Sequence, residues 1–225
     1  MGEPQFPTLS AKSPATSAGS WPTSTTMKNF TCAALMALAA FTGCSDDDNI
    51  DSDEEARRAY LGLDGSIAKS LELGFAGFNA ASSANIPPQM AAGIEAGTLT
   101  ITGQVDQGNS SNKGMRLRVG MVGYTDGLVV LDDSEIEITY TTDADVTTQP
   151  YLVLSLKNIP TGTLEGTLTG TYHMTGDIIG DATLNLTFAG TLQASGAGVI
   201  RAPGTTAVTG TVTSGDGVYN VVITL

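Results

Sequence analysis

Two groups in this chain have residue types and spacing suited to reaction chemistry: the single histidine, His173, and the run Ser66-Ile67-Ala68-Lys69. One imidazole cannot build a multi-histidine metal site within a single chain, and a Ser–His–Asp triad needs that imidazole beside a serine. His173 falls on the threonine-bearing face of an alternating run, so it reads as a surface residue. Ser-x-x-Lys sets a nucleophile and a base on adjacent helical turns, the spacing used by penicillin-binding enzymes. The Lys-Thr-Gly and Ser-Asp-Asn motifs that complete that machinery do not occur in this chain. A four-residue match arises readily by chance. No Gly-x-Ser-x-Gly, Gly-rich phosphate loop or Cys pair is present either, so the chain reads as a non-enzyme with no cofactor and no catalytic residue.

Charged clusters come next. Glu135 and Glu137 share one face of a run, and Arg116 and Arg118 share one face of the run before it. A hairpin would oppose them as an ion ladder worth about 0.2–1 kcal/mol per contact. Asp143 and Asp145, with Asp132 and Asp133 in a neighbouring loop, offer the oxygens of a calcium site. Solvated loop acids account for them better, and no metal is expected.

The elements that must position these residues are legible from hydrophobic period. Tyr60, Leu63, Ile67, Leu71, Phe75 and Phe78 recur in steps of three and four, one stripe of an amphipathic helix. Asp64 or Ser66 would cap its start, Gly74 and Gly77 weaken its later turns, and Pro87-Pro88 lies beyond its end.

After Gly97 the period becomes two. The apolar sets are Leu99/Ile101/Val105, Met115/Leu117/Val119/Met121, Ile136/Ile138/Tyr140, Leu164/Leu168/Tyr172, Leu184/Leu186/Phe188, Val208/Val212 and Tyr219/Val221/Ile223/Leu225. Tyr151 to Leu156 is more continuously apolar and reads as buried on both faces. Turn signals such as Asp126-Gly127 and Asp216-Gly217 separate the runs.

The expected fold is mainly β: about eight antiparallel strands in a curved sheet, barrel or sandwich, with one N-terminal helix packed on or in it. Glycines sharing the dry face with Leu164 and Leu168 (Gly162, Gly166, Gly170) favour strong coiling, or make room for the helix. Gly-Thr recurs at irregular spacing, which excludes a solenoid. The helix stripe Ile67, Leu71, Phe75 and Phe78 would line any ligand cavity between helix and sheet.

With 225 residues there is room for one domain with appendages. Acidic residues outnumber basic ones 23 to 10, for a net charge of −13. That surface repels phosphate backbones and anionic lipid faces, so neither a nucleic-acid partner nor direct docking on lipid is expected.

The amino-terminal part carries a different signal. Lys28 precedes a twelve-residue apolar segment, Phe30 to Phe41, and small residues follow. This is the layout of a secretory signal, too short to span a bilayer, which takes about 20 apolar residues. Phe41-Thr42-Gly43-Cys44 resembles the lipobox of bacterial lipoproteins, although Phe41 stands where an aliphatic residue is usual. The resemblance implies cleavage between Gly43 and Cys44, with acylation of the Cys44 thiol. Ser45 to Glu55 is polar and acidic, the composition of an unfolded tether.

The organisation expected from this is 1–26 as a disordered extension or mis-assigned start, 27–43 as signal, 44–58 as tether and 59–225 as the helix and β domain. Removing Glu3, Lys12 and Lys28 with the first 43 residues leaves 22 acidic and 8 basic residues, a net of −14. Cys32 leaves too, so the mature domain would have no disulfide.

These readings make the chain an exported, membrane-anchored envelope lipoprotein, expected at the outer membrane, whose β domain binds or supports another component. A carrier of a lipid or other apolar ligand is the alternative, by analogy with helix-covered barrels alone. A transmembrane β-barrel ranks third, because aromatic girdles are missing.

Overall fold

The computed structural model describes residues 49–225 except 197 and 216. A single helix, α1 (Asp53–Ala80), precedes eleven strands: β1 (Asn85–Ala92), β2 (Ala96–Val105), β3 (Lys113–Thr125), β4 (Leu128–Leu131), β5 (Ser134–Thr141), β6 (Tyr151–Lys157), β7 (Thr163–Gly176), β8 (Gly180–Ser195), β9 (Gly198–Arg201), β10 (Ala207–Ser214) and β11 (Gly217–Thr224). Neighbours run in the order β1-β2-β3-β5-β7-β8-β10-β11, and every pairing is antiparallel. β6 pairs with both β3 and β7, while β4 pairs with β5 and β9 with β8. The mainly β class with one N-terminal helix is therefore the observed one. The helix touches both outer strands, β1 and β11. A sheet whose two edges meet one helix must curl around it, so the architecture is a curved sheet with the helix in its opening.

The helix begins earlier than its apolar stripe suggests. Ser52 caps it, its hydroxyl accepting from the Glu55 N–H at 3.2 Å, and Asp53, Glu54 and Glu55 fill the first turn. Acidic residues there complement the positive end of the helix dipole. The acidic run read as tether to residue 58 is thus helix from Asp53, and Ile50 is buried. Asp64 and Ser66, expected as caps, lie inside the helix. A tether and a first helical turn share the same acidic composition, which is why the boundary was misplaced.

The expected stripe is confirmed: Tyr60, Leu63, Ile67 and Leu71 are buried, in one core with the inward side chains of the strands. Helix glycines set the spacing. A Cβ on Gly74 would stand 2.6 Å from Met115 Sδ, and one on Gly77 would stand 2.8 Å from Ile86 Cδ1. Gly166 and Gly170 instead lie against β6 and Pro150, respectively, so they make room for the neighbouring segment and not for the helix.

All seven runs read from alternation, and the continuous run from Tyr151, are strands. The three additional ones had no such signal. β1 carries Pro87-Pro88 and a register shift, tolerable because it is an edge strand. β4 and β9 have four residues each, too short to show a period. β6 is not buried on both faces: Leu152, Leu154 and Leu156 point inward, while Tyr151, Val153 and Ser155 are half-buried. Asp126-Gly127 links β3 to β4 without pairing them; the two-residue turn is Asp132-Asp133, with φ of 50° and 63° between the paired Leu131 and Ser134. Ser214 likewise pairs with Gly217, so the turn between β10 and β11 starts at Gly215, one residue before the expected pair.

Candidate functional site

Charged side chains leave the helix and clamp it to different strands, Arg58, Asp64 and Lys69 among them. Arg58, buried, pairs with Glu54 at 2.6 Å and donates to the Leu131 carbonyl at 3.1 Å, at the turn between β4 and β5. Asp64 accepts two bonds of 2.7 Å from Arg201 of β9 and one of 2.8 Å from the Tyr60 hydroxyl. Burial, then the neighbouring Asp64, push the Tyr60 hydroxyl far above its ordinary range. Lys69 donates to Asp126 Oδ1 at 2.5 Å, to the Tyr124 hydroxyl at 3.0 Å and to the Ala92 carbonyl at 3.1 Å.

The Lys69–Tyr124–Asp126 group is a polar cluster whose Asp126 borders a cleft. Tyr124 donates to Asp126 Oδ2 at 2.6 Å, and the Ile94 N–H donates to Oδ1 at 2.9 Å. Burial pushes the Asp126 carboxyl up, but the bonds from Lys69, Tyr124 and Ile94 outweigh it and hold it below the ordinary value. Burial and the adjacent Asp126 push Tyr124 up. The ammonium donates to three oxygens, and the phenol donates to the same carboxylate that the ammonium meets. The cluster fastens the helix to β3 and to the turn between β1 and β2.

Ser66-x-x-Lys69 accordingly dissolves in three dimensions. Ser66 is buried and donates to the Leu63 carbonyl of its own helix at 2.6 Å, while Lys69 turns to Asp126. His173 stands half-exposed between two carboxylates, with Asp181 Oδ1 at 2.7 Å from Nδ1 and Asp143 Oδ1 at 3.4 Å from Nε2. The hydrogen bond to Asp181 raises its pKa against a smaller opposing effect of burial. The expected ion ladder is absent. Arg116 pairs with Asp106, Arg118 donates to the Gln149 carbonyl and lies over the Tyr151 ring, and Glu135 and Glu137 face β4. β3 meets β5 only at Tyr124–Tyr140, so the arginines lie beside β6 instead. Asp145 is taken up by Thr147, and among the described residues no three acidic, histidine or cysteine side chains are arranged to hold a metal ion.

The four residues expected to line a cavity separate into two groups. Ile67 and Leu71 are packed in the core. Phe75 and Phe78, one to two turns later, line an open cleft of about 380 Å³ with Ile159, Pro160 and Val199. The Lys113 ammonium lies 4.2 Å from the Phe78 ring centre and donates to the Asp106 and Gly108 carbonyls. A second cleft, about 290 Å³, lies between the first half of α1 and β4, bordered by Leu61, Gly62, Gly65, Ile94, Leu128 and Val130. No alternation pointed to it, because β4 is four residues long. Gly43 and Cys44, the expected cleavage and acylation positions, lie outside the described residues.

No family model, curated protein or solved structure matches the chain.

Proposed function

We propose that the chain is a lipid-anchored cell-envelope protein whose β domain is a non-catalytic binding or support module. The observation carrying this reading is the sequence Lys28, Phe30 to Phe41 and then Thr42-Gly43-Cys44, directly before the acidic run that leads into α1. Such a segment exports a chain, and a diacylated cysteine then holds it at a membrane through two acyl chains, the number that stable anchoring takes. The domain supports the binding role in a second way. Its polar clusters are spent on fastening the helix, and its reactive residue types are held apart, so what it offers to another molecule is surface. Outer-membrane placement remains part of the same proposal.

The carrier alternative draws on the cleft at Phe75 and Phe78, which is apolar and of a size small ligands use. Burial of Ile67 and Leu71 in packed core weighs against a deeper cavity, and the module reading takes precedence.

Fractionation of cells making the full chain tests the proposal. The protein should sediment with membranes and take up labelled palmitate, and Cys44→Ala should release it unlabelled. Retention of label in Cys44→Ala would contradict the anchor.

A further inference from the structure

His173 sits on β7, directly across from Thr141 of β5 on one side and Asp181 of β8 on the other. Its two ring nitrogens meet carboxylates at unequal distances. Nδ1 lies 2.7 Å from Asp181 Oδ1, the length of a charge-assisted hydrogen bond, about 2.7–2.9 Å. Nε2 lies 3.4 Å from Asp143 Oδ1, well beyond that length. A tetrahedral zinc ion, with bonds of about 2.0–2.2 Å to nitrogen and oxygen, holds two such ligand atoms about 3.3–3.5 Å apart. The Nε2 gap has that spacing, and the Nδ1 contact does not.

The contact on Nδ1 completes the arrangement. A metal-binding imidazole ordinarily donates its other N–H to a carboxylate, which fixes the tautomer and leaves the ligating nitrogen its lone pair. Asp181 stands in that place, so the neutral ring presents Nε2 toward Asp143. Backbone contacts hold the second ligand. Thr142, next to Asp143, is buried; its N–H donates to the Met121 carbonyl at 3.0 Å and its hydroxyl accepts from the Met121 N–H at 2.9 Å. The Asp143 carbonyl accepts from Gln149 Nε2 at 3.1 Å. Nearby hydroxyls are engaged elsewhere, Thr141 with the Gly123 N–H and Thr171 with Thr183. The His173 and Asp143 side chains are both exposed enough for water to reach them.

We propose that His173 Nε2 and Asp143 Oδ1 form a two-ligand site for a zinc-like divalent cation, with Asp181 positioning the ring and water filling the other coordination places. One imidazole nitrogen and one carboxylate oxygen suit zinc and its first-row neighbours, whereas calcium and magnesium take oxygen ligands. Structural zinc takes four protein ligands. With two, this site is open, and the cation exchanges with solvent. The site is independent of the anchor at Cys44 and of the reading of the domain as a binding module.

Zinc titration read by nitrogen NMR of the single imidazole tests it, at about pH 8, above the ordinary imidazole range. The untagged full chain is used with Cys32→Ala and Cys44→Ala, which leaves no thiol to compete. Without metal the ring should carry its proton on Nδ1. Zinc chloride should then move the Nε2 signal and saturate at one ion per chain, while calcium and magnesium chlorides leave it in place. Asp181→Ala should weaken zinc binding by about 10–100-fold, the usual loss when an outer carboxylate is removed, and should also abolish the Nδ1–H preference of the metal-free ring. Asp143→Ala should weaken binding at least as far, with the circular dichroism spectrum of both variants intact. An unmoved Nε2 signal, an equal response to calcium, or undiminished zinc affinity in Asp143→Ala would overturn the proposal. The last result would reduce the site to a lone exposed imidazole.

Discussion

The Tyr140 hydroxyl donates to the Ala59 carbonyl at 2.8 Å, and a Cβ on Gly62 would fall on that same hydroxyl. A fully buried tyrosine of β5 thus reaches the backbone of α1 where the helix has no side chain. Burial raises the pKa of Tyr140 well above its ordinary value, so the hydroxyl stays a neutral donor. Its ring meets Tyr172 edge-on, with centres 6.2 Å apart. The distance between helix and sheet is fixed by this contact and by the similar ones at Gly74 and Gly77.

Gly62→Ala should therefore destabilise the domain although alanine is the better helix former, by about 1–3 kcal/mol, the usual cost of overpacking. In a Tyr140→Phe background the same substitution should cost less, because the clashing oxygen is gone. Urea denaturation of the four chains of this cycle measures the coupling. Equal costs in both backgrounds would mean the glycine is not there for Tyr140.

Lys69→Met should cost about 1–3 kcal/mol at pH 7, less than for a fully buried pair because both side chains keep some solvent contact. The folded chain holds Asp126 below its ordinary value of 3.8, so it binds that proton less readily than the unfolded chain does. Its stabilisation is complete above about pH 4 and is lost as pH falls through the lowered value. The gap between wild type and Lys69→Met should accordingly narrow as pH falls below about 4, which melting curves across that range would show.

Much of this fold is written in the sequence, and the unread parts have physical reasons. Alternation exposed seven of the strands because each buries one face, as in Leu184, Leu186 and Phe188, and the continuous apolar run exposed β6. It could not expose β4 and β9, where four residues show no period, or β1, where Pro87-Pro88 reads as a helix stop. Gly74 and Gly77 read as helix weaknesses from propensity alone, since the partners that need their space come from strands far along the chain. The clamps were hidden for the same reason. Nothing near Asp64 in sequence announces Arg201, and nothing near Lys69 announces Asp126. The candidate cleft at β4 follows from a strand that pairs on one side only, which is a property of topology.

His173 should titrate above its ordinary 6.5, since both carboxylates beside it favour the imidazolium. Its stabilising contribution is complete below about pH 6.5 and is lost as pH rises through the raised value. NMR titration of the ring protons should show a midpoint above 6.5 that falls in Asp181→Asn, the nearer partner at 2.7 Å. An unmoved midpoint would show that the contact does not persist in solution.

Ile67 and Leu71 are packed in the core and leave no space for a ligand between them and the sheet. Native mass spectrometry of the Cys44→Ala chain, purified without detergent, should give the bare polypeptide mass. A lipid-sized addition lost on organic extraction would favour the carrier reading and direct attention to Phe75 and Phe78.

The anchor is the central claim, and the mass of the amino-terminal peptide of the membrane-bound protein tests it most directly. The predicted result is a peptide that begins at Cys44, with nothing before it, and carries a diacylglyceryl group on sulfur. A peptide that runs through Gly43 into an unmodified Cys44 would contradict it.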